Sequence, residues 1–239
     1  MIDAGLLASM AILIAIPVLL IQPWPPEAAG ASVLDLAGGA LLGGLIVGRL
    51  SAVALDDPGS LTSLSDLVII RSGVEFWPGV LAASLWMAVS GWRQDGAVAP
   101  RLAAVAPAGL LAWACYEATC LIRGGCPGPI SSIGLRPDGL THRVFPVGLA
   151  VAALAGSCAI ILSRLHRRGL PNVYIPIIAV GVIAVIRSVA SIWLPRISQG
   201  ITRQHRESIV IAAFSAVALT AVIIRSRRAA VGQTPAGLA

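Results

Sequence analysis

The chain has 239 residues, of which 57% are hydrophobic and 12% are charged. Soluble domains carry about a quarter charged residues, so this composition excludes an ordinary soluble domain. The net charge is +6 and all 17 basic residues are arginine; since no contiguous basic domain exists, we attribute the charge to membrane anchoring and expect no nucleic-acid partner.

Apolar runs close to the ~20 residues that cross a bilayer core follow one another along the chain. The first run ends at Gln22, with no basic segment before it and no small-residue cleavage site after it, so we predict a spanning helix rather than a signal peptide. We predict an all-α polytopic membrane protein, with residues 1–239 forming one integral membrane domain of seven transmembrane helices and irregular outer-face loops. The predicted spans are residues 4–22, 32–54, 74–91, 102–121, 145–163, 173–194 and 208–225.

The second predicted span is rich in glycine and ends in an arginine. Gly39 and Gly43 form one GxxxG pair, and Gly44 and Gly48 form another, directly before Arg49. This spacing lets helix backbones approach each other closely. We therefore predict close packing of this helix against a neighbour, with Arg49 at its end.

Two segments lack regular periodicity, DLVIIRSGVEFWPG at 66–79 and TCLIRGGCPGPISSIGLRPDG at 119–139. Irregular backbone at membrane depth persists only where protein or a water-filled cavity satisfies it. Both segments are therefore candidates to line a cavity. The alternative for the second segment is a packed extracellular cap.

Cys120 and Cys126 flank the glycine-rich turn of the second segment. They are a candidate disulfide if this loop faces an oxidising compartment. Cys115 and Cys158 lie in apolar runs, where buried thiols are typical. The spacing does not fit a zinc site, because only His142 lies nearby, and we expect no metal.

Charged residues inside predicted spans indicate a functional interior, because burying a charge in lipid is costly. Glu117 and Arg187 lie deepest, whereas Asp35 and Glu75 lie near span ends. Both Glu117 and Arg187 must face the helix bundle rather than lipid. The structural alternative is that they form ion pairs with each other or with loop arginines.

The loop arginines suggest an anion site. Arg71, Arg123 and Arg143 lie in the irregular segments or next to them, together with Arg136. The planar guanidinium group suits phosphate, and a phospholipid head group is the phosphate most available at a membrane edge. His142, next to Arg143, is a candidate general base; a solvated loop histidine is the alternative.

Arginine counts do not fix the orientation, since eight fall on each side with Arg187 inside a span. One side carries tight clusters at helix ends, SRLHRRG and RSRR, which are typical of cytoplasmic anchors. The arginines of the other side are scattered through loops. We therefore expect the N-terminus outside and the C-terminus in the cytoplasm.

The order of these features resembles the prolipoprotein diacylglyceryl transferases of the bacterial inner membrane, over about residues 35–225. The similarity lies in a glycine-rich second span that ends in arginine, a Gly-rich third segment, a signature loop ending in glycine, a histidine-proline span start, and a late arginine-bearing span. The corresponding stretches here are GLIVGRLSAVAL, IIRSGVEFWPGVLAA, TCLIRGGCPGP, HRVFPVGLAVAAL and IRSVASIWLPR.

Arg187, Gly128 and His142 match the family's site positions by residue type. Other positions depart from it. Trp77 stands at the family's third-segment histidine, Glu117 at its loop arginine and Ser191 at its late glutamate. Arg123 is the nearest substitute for the loop arginine.

The resemblance implies that the chain moves the diacylglyceryl group of phosphatidylglycerol to the thiol of a lipobox cysteine in a prolipoprotein, without a metal or diffusible cofactor. The implied site has His142, Arg187 and Glu117 as catalytic residues. Arg71, Arg123, Arg143 and Gly128 would bind the phosphate. The alternative is a catalytically inactive relative that binds lipid or serves as a subunit beside a membrane-protein partner.

Overall fold

The structure, a computed structural model, describes residues 33–56, 58–62, 74–94, 96–120, 128–136, 141–193 and 202–232. Six long helices dominate these residues. The helices are α1 (Val33–Asp56), α2 (Phe76–Gln94), α3 (Val98–Ala118), α4 (Val147–Arg167), α5 (Tyr174–Trp193) and α6 (Arg203–Gly232), with a short 3₁₀ helix at Pro58–Thr62 and one strand, β1 (Ile130–Leu135).

Five of these helices are long and apolar enough to cross a membrane. The prediction of a helical, multi-pass membrane protein is thereby confirmed at this level. The number seven is not confirmed: the first predicted span, 4–22, lies outside the described residues. α2 forms a helix as predicted, but it is not among the five apolar candidates.

The last helix begins five residues before the predicted span at 208. The backbone N–H of His205 donates to Thr202 Oγ1 at 3.2 Å, so the Thr202 side chain caps the first turn. The polar residues before the apolar run are therefore helical. Hydropathy alone placed them in a loop because it does not register capping.

Part of the segment predicted to be irregular forms a strand. β1 pairs in antiparallel fashion with Val144. The N–H of Ser131 donates to the Arg143 carbonyl at 3.1 Å, and the N–H of Phe145 donates to the Pro129 carbonyl at 2.9 Å. The prediction of an irregular loop is wrong for these residues, because the hydrogen-bond partners come from beyond the segment itself and local periodicity could not reveal them.

The described chain divides into two compact units, one up to Leu102 and the other from Ala103. In the first unit, α1 packs closely on α2. A Cβ added at Gly44 would lie 2.9 Å from the Gly79 carbonyl oxygen, and one at Gly48 would lie 2.7 Å from that of Glu75. The Gly44–Gly48 motif thus allows the close helix packing that its spacing predicts. A Cβ added at Gly43 would meet nothing within 4 Å.

The second unit contains most of α3 together with β1, α4, α5 and α6. Its small core joins three helices through Ala103, Leu162, Ile175 and Ala179. Close approach of α4 to α3 depends on Gly148, where an added Cβ would lie 2.7 Å from the Glu117 carbonyl oxygen. The single domain predicted for residues 1–239 stays a prediction.

The turn between α4 and α5 sets up an antiparallel helix pair. Gly169 has φ +88°, its N–H donates to the His166 carbonyl, and the N–H of Leu170 donates to that of Leu165. This is a Schellman motif, which needs a residue that tolerates the left-handed conformation. Further along, Tyr174 Oη lies 3.0 Å from Ser226 Oγ, so the start of α5 meets the end of α6.

Candidate functional site

A cavity of about 40 Å³ with charged residues in its wall lies within the second unit. By volume it accommodates about three water molecules or a group of similar size. Helices α3, α4, α5 and α6 all contribute to its wall. The lining residues are Trp113, Glu117, Val147, Gly148, Val151, Arg187, Ala190, Gln204 and Ser208.

The Glu117 carboxylate is held in place by its own helix. The indole Nε1 of Trp113, one turn earlier, donates to Glu117 Oε1 at 3.0 Å. Trp113 is buried, with 6% of its surface exposed, so the carboxylate is fixed by a rigid donor. The absence of a side chain at Gly148 lets α4 approach the backbone of Glu117 and complete the wall.

Arg187 reaches the cavity from α5 and contacts α6 there. Its Nη2 donates to Gln204 Oε1 at 3.4 Å. Glu117 and Arg187, predicted from the sequence to face the bundle interior, therefore line the same cavity. Ser208, with 1% of its surface exposed, adds a hydroxyl group one turn beyond Gln204.

His205 is a half-buried residue beside this cavity. Its Nδ1 lies 3.0 Å from the Ser188 carbonyl oxygen and 2.6 Å from Ser191 Oγ. Ser191 Oγ in turn donates to the same Ser188 carbonyl at 2.7 Å. The sequence motifs do not include His205; the Thr202 cap, which makes it helical, is the signal that could have pointed to it.

The predicted catalytic residue His142 does not line the cavity. It is exposed, and its Nδ1 lies 3.4 Å from Oγ1 of the adjacent Thr141. Arg143 is also exposed, and its backbone carbonyl pairs with Ser131. The catalytic role of His142 and the phosphate-binding role of Arg143 stay predictions.

Gly128 sits where a side chain would collide with its surroundings. An added Cβ would overlap the carbonyl oxygen of Phe145 and lie 2.7 Å from Cγ2 of Val147. This explains the glycine by packing against the residues that lead into α4. Its predicted part in phosphate binding stays a prediction.

Three predicted residues, Arg71, Arg123 and Cys126, lie outside the described residues. Cys120 is buried and disulfide-bonded, whereas Cys115 and Cys158 are free thiols. The proposed pairing of Cys120 with Cys126 stays a prediction. In the described ranges, no group of three or more His, Cys, Asp or Glu side chains is arranged to hold a metal ion.

Comparison with known proteins gives no family assignment. No protein-family model matches this chain, and no curated protein matches it. The resemblance to the diacylglyceryl transferases therefore depends on the sequence motifs alone.

Proposed function

We propose that the chain is a membrane enzyme that transfers the diacylglyceryl group of phosphatidylglycerol to a cysteine thiol of a prolipoprotein. The observation that carries this proposal is that Arg187 and Glu117 line one cavity within an apolar helical unit. Charged side chains in such surroundings are costly and are typical of functional sites. The Arg187 position is also one of those that match the family by type.

Arg187 binds the phosphate of the lipid in this proposal. Its planar fork of donors matches two phosphate oxygens at once. Ser208 and the amide group of Gln204 line the same cavity and offer further donors. Since the cavity has room for a group of only a few heavy atoms, it takes the phosphate while the acyl chains remain in lipid.

The reaction breaks one bond and forms another. The thiol loses its proton to a base, and the sulfur attacks the carbon of the diacylglycerol unit that bears the phosphate oxygen. The S–C bond forms as the C–O bond breaks. The electron pair of the C–O bond leaves with glycerol phosphate. Arg187 stabilises the negative charge that grows on the departing phosphate. No metal or diffusible cofactor enters this step.

Glu117 adjusts the electrostatics of the same cavity. Its carboxylate offsets the guanidinium charge of Arg187, which lowers the cost of keeping that charge in apolar surroundings before lipid arrives. The hydrogen bond from Trp113 keeps the carboxylate oriented. An incoming phosphate must then compete with this carboxylate.

The proposed location is the outer leaflet of the bacterial inner membrane, with the N-terminus outside and the C-terminus in the cytoplasm. Arg187 lies 13 residues beyond Tyr174, or about 20 Å along α5. Tyr174 meets the end of α6, where exposed arginines are typical of a cytoplasmic boundary. Those arginines are Arg225, Arg227 and Arg228, and the end of α4 adds Arg164, Arg167 and Arg168.

The runner-up proposal is a catalytically inactive relative that binds anionic lipid or joins a membrane complex. The exposed position of His142 favours it, because the base implied by the resemblance is not among the residues that line the cavity. Lipid binding alone would need only the arginine and its hydrogen-bonding neighbours.

The test uses purified protein in nanodiscs that contain phosphatidylglycerol, with a lipobox peptide added. We expect glycerol phosphate release to match the formation of diacylglyceryl peptide, both measured by mass spectrometry. Nanodiscs of phosphatidylcholine and a Cys-to-Ser peptide are the controls and should give no product. Lipid binding without any turnover would reject the transferase and support the runner-up.

A further inference from the structure

We propose that His205 is the base that takes the proton from the thiol, an inference that rests on the proposed transferase function. The proposal depends on three features of the described residues: the tautomer that its contacts impose, its place beside the cavity, and the third group that orients its ring.

The contacts of His205 favour hydrogen on Nδ1 over hydrogen on Nε2. A carbonyl oxygen only accepts hydrogen bonds, so a hydrogen bond between Nδ1 and the Ser188 carbonyl oxygen, 3.0 Å apart, requires hydrogen on Nδ1. Ser191 Oγ already donates to the same carbonyl, which leaves its lone pairs to accept from Nδ1. We therefore assign the hydrogen to Nδ1. In the neutral ring, Nε2 is then the nitrogen that can accept a proton.

The position of His205 places it next to the cavity wall. On α6 it follows Gln204 and precedes Ser208 by three residues, and both line the cavity. Residues three apart on a helix are neighbours on its surface. Its contacts on α5, Ser188 and Ser191, are adjacent in sequence to the lining residues Arg187 and Ala190.

The arrangement has the form of a base oriented by a third group. Ser191 and the Ser188 carbonyl hold the imidazole from one side, which restricts its rotation. In the resemblance, Ser191 stands at the family's late glutamate. In this chain Ser191 contacts His205, a histidine that lies outside the sequence motifs of the resemblance.

The proton transfer balances with the proposed reaction. Nε2 of His205 takes the proton of the thiol while the sulfur attacks the carbon of the diacylglycerol unit that bears the phosphate oxygen. The resulting imidazolium keeps its Nδ1–H bond to the Ser188 carbonyl. After glycerol phosphate leaves, the imidazolium returns its proton to water and the neutral ring is restored.

The test compares His205→Asn with wild type in phosphatidylglycerol nanodiscs with the lipobox peptide. The asparagine amide nitrogen takes the place of Nδ1 and can still donate to the Ser188 carbonyl, but no proton acceptor remains at the Nε2 position. We expect kcat to fall by about 100-fold or more, with phosphatidylglycerol binding unchanged. The control is His166→Asn at the end of α4, which should behave as wild type.

Two results would overturn the assignment while leaving the transferase intact. One is an active wild type whose His205→Asn variant keeps its kcat within about tenfold, below the usual contribution of a general base. The other is an ¹⁵N NMR spectrum of His205 that shows hydrogen on Nε2 instead of Nδ1. A wild type without turnover rejects the proposed function itself, and the role of His205 with it.

Discussion

The guanidinium Nη2 of Arg187 lies 3.4 Å from Oε1 of Gln204, joining α5 to α6 at the cavity. The two residues are separated by the end of one helix and the start of the next. The contact therefore depends on the antiparallel packing of α5 against α6, which Tyr174 and Ser226 continue toward the other end of the pair. It places the charge of Arg187 beside a side-chain amide group in the cavity wall.

Replacing Arg187 tests the proposed phosphate site. Arg187→Ala should weaken phosphatidylglycerol binding by about 10- to 100-fold, the scale of losing hydrogen bonds from a charged donor. Arg187→Lys should recover part of it, because the charge remains while the two-pronged geometry is lost. Native mass spectrometry measures both. Arg206→Ala, at an exposed arginine on α6, is the matched control, and an equal loss in that variant would contradict a specific site.

Neutralising Glu117 should strengthen the binding of anionic lipid. A glutamine side chain at this position would keep an oxygen to accept from Trp113 but would lack the negative charge that competes with phosphate. We expect Glu117→Gln to bind phosphatidylglycerol about tenfold more tightly, consistent with one charge acting across a partly screened site. Parallel titrations with phosphatidylglycerol and phosphatidylcholine test whether the tighter binding depends on the charge of the lipid.

Glu207→Gln is the control for Glu117, because Glu207 lies on α6 near Arg203 and does not line the cavity. Its affinity should remain at the wild-type value. Weaker phosphatidylglycerol binding by Glu117→Gln would show that the carboxylate supports the lipid site instead of opposing the phosphate.

Adding a methyl group at Gly148 should disturb the cavity wall. The new Cβ would lie 2.7 Å from the Glu117 carbonyl oxygen and 3.1 Å from the Cβ of Cys120. Overpacking of this kind costs about 1–3 kcal/mol, so Gly148→Ala should lower the free energy of unfolding in detergent. Gly156→Ala, with its nearest neighbour at 3.9 Å, should be neutral or stabilising. Equal stability of the two variants would contradict the close approach.

Close packing of α1 on α2 in the first unit can be tested with a second pair of glycine variants. Gly44→Ala would press a methyl group to 2.9 Å from the Gly79 carbonyl oxygen, whereas Gly43→Ala meets nothing within 4 Å. We expect only Gly44→Ala to lower the free energy of unfolding, by about 1–3 kcal/mol. Parallel melting curves of the two variants in one detergent measure this, and a larger loss at Gly43 would reject the packing of α1 on α2.

The partner of Cys120 can be identified by peptide mapping. We expect a non-reduced digest to contain a peptide linking Cys120 to Cys126, while iodoacetamide labels Cys115 and Cys158 after denaturation. Cys120 is disulfide-bonded and the latter two are free. Labelling of Cys126 without prior reduction would show that the predicted pair is wrong.

Glu117 and Arg187 show how far the sequence predicts the site. A charge within an apolar run must face the bundle interior, because lipid cannot solvate it, and that alone predicts that both residues turn inward. The pattern also left two possibilities open, a structural ion pair or a functional cavity. His205 and Ser208 did not stand out, because a single polar residue at a helix start has no periodic signature.

The sequence by itself determined the helical membrane class, since apolar length and the scarcity of charge follow directly from the needs of a bilayer core. It also determined the glycine packing of α1, because Gly44 and Gly48 permit close contact wherever a partner lies. Only the tertiary structure decided that β1 forms and that Trp113, Gln204 and Ser208 join Glu117 and Arg187. Apart from the Trp113–Glu117 hydrogen bond within α3, these contacts connect residues far apart in the chain, and their geometry depends on helix packing that no local pattern encodes.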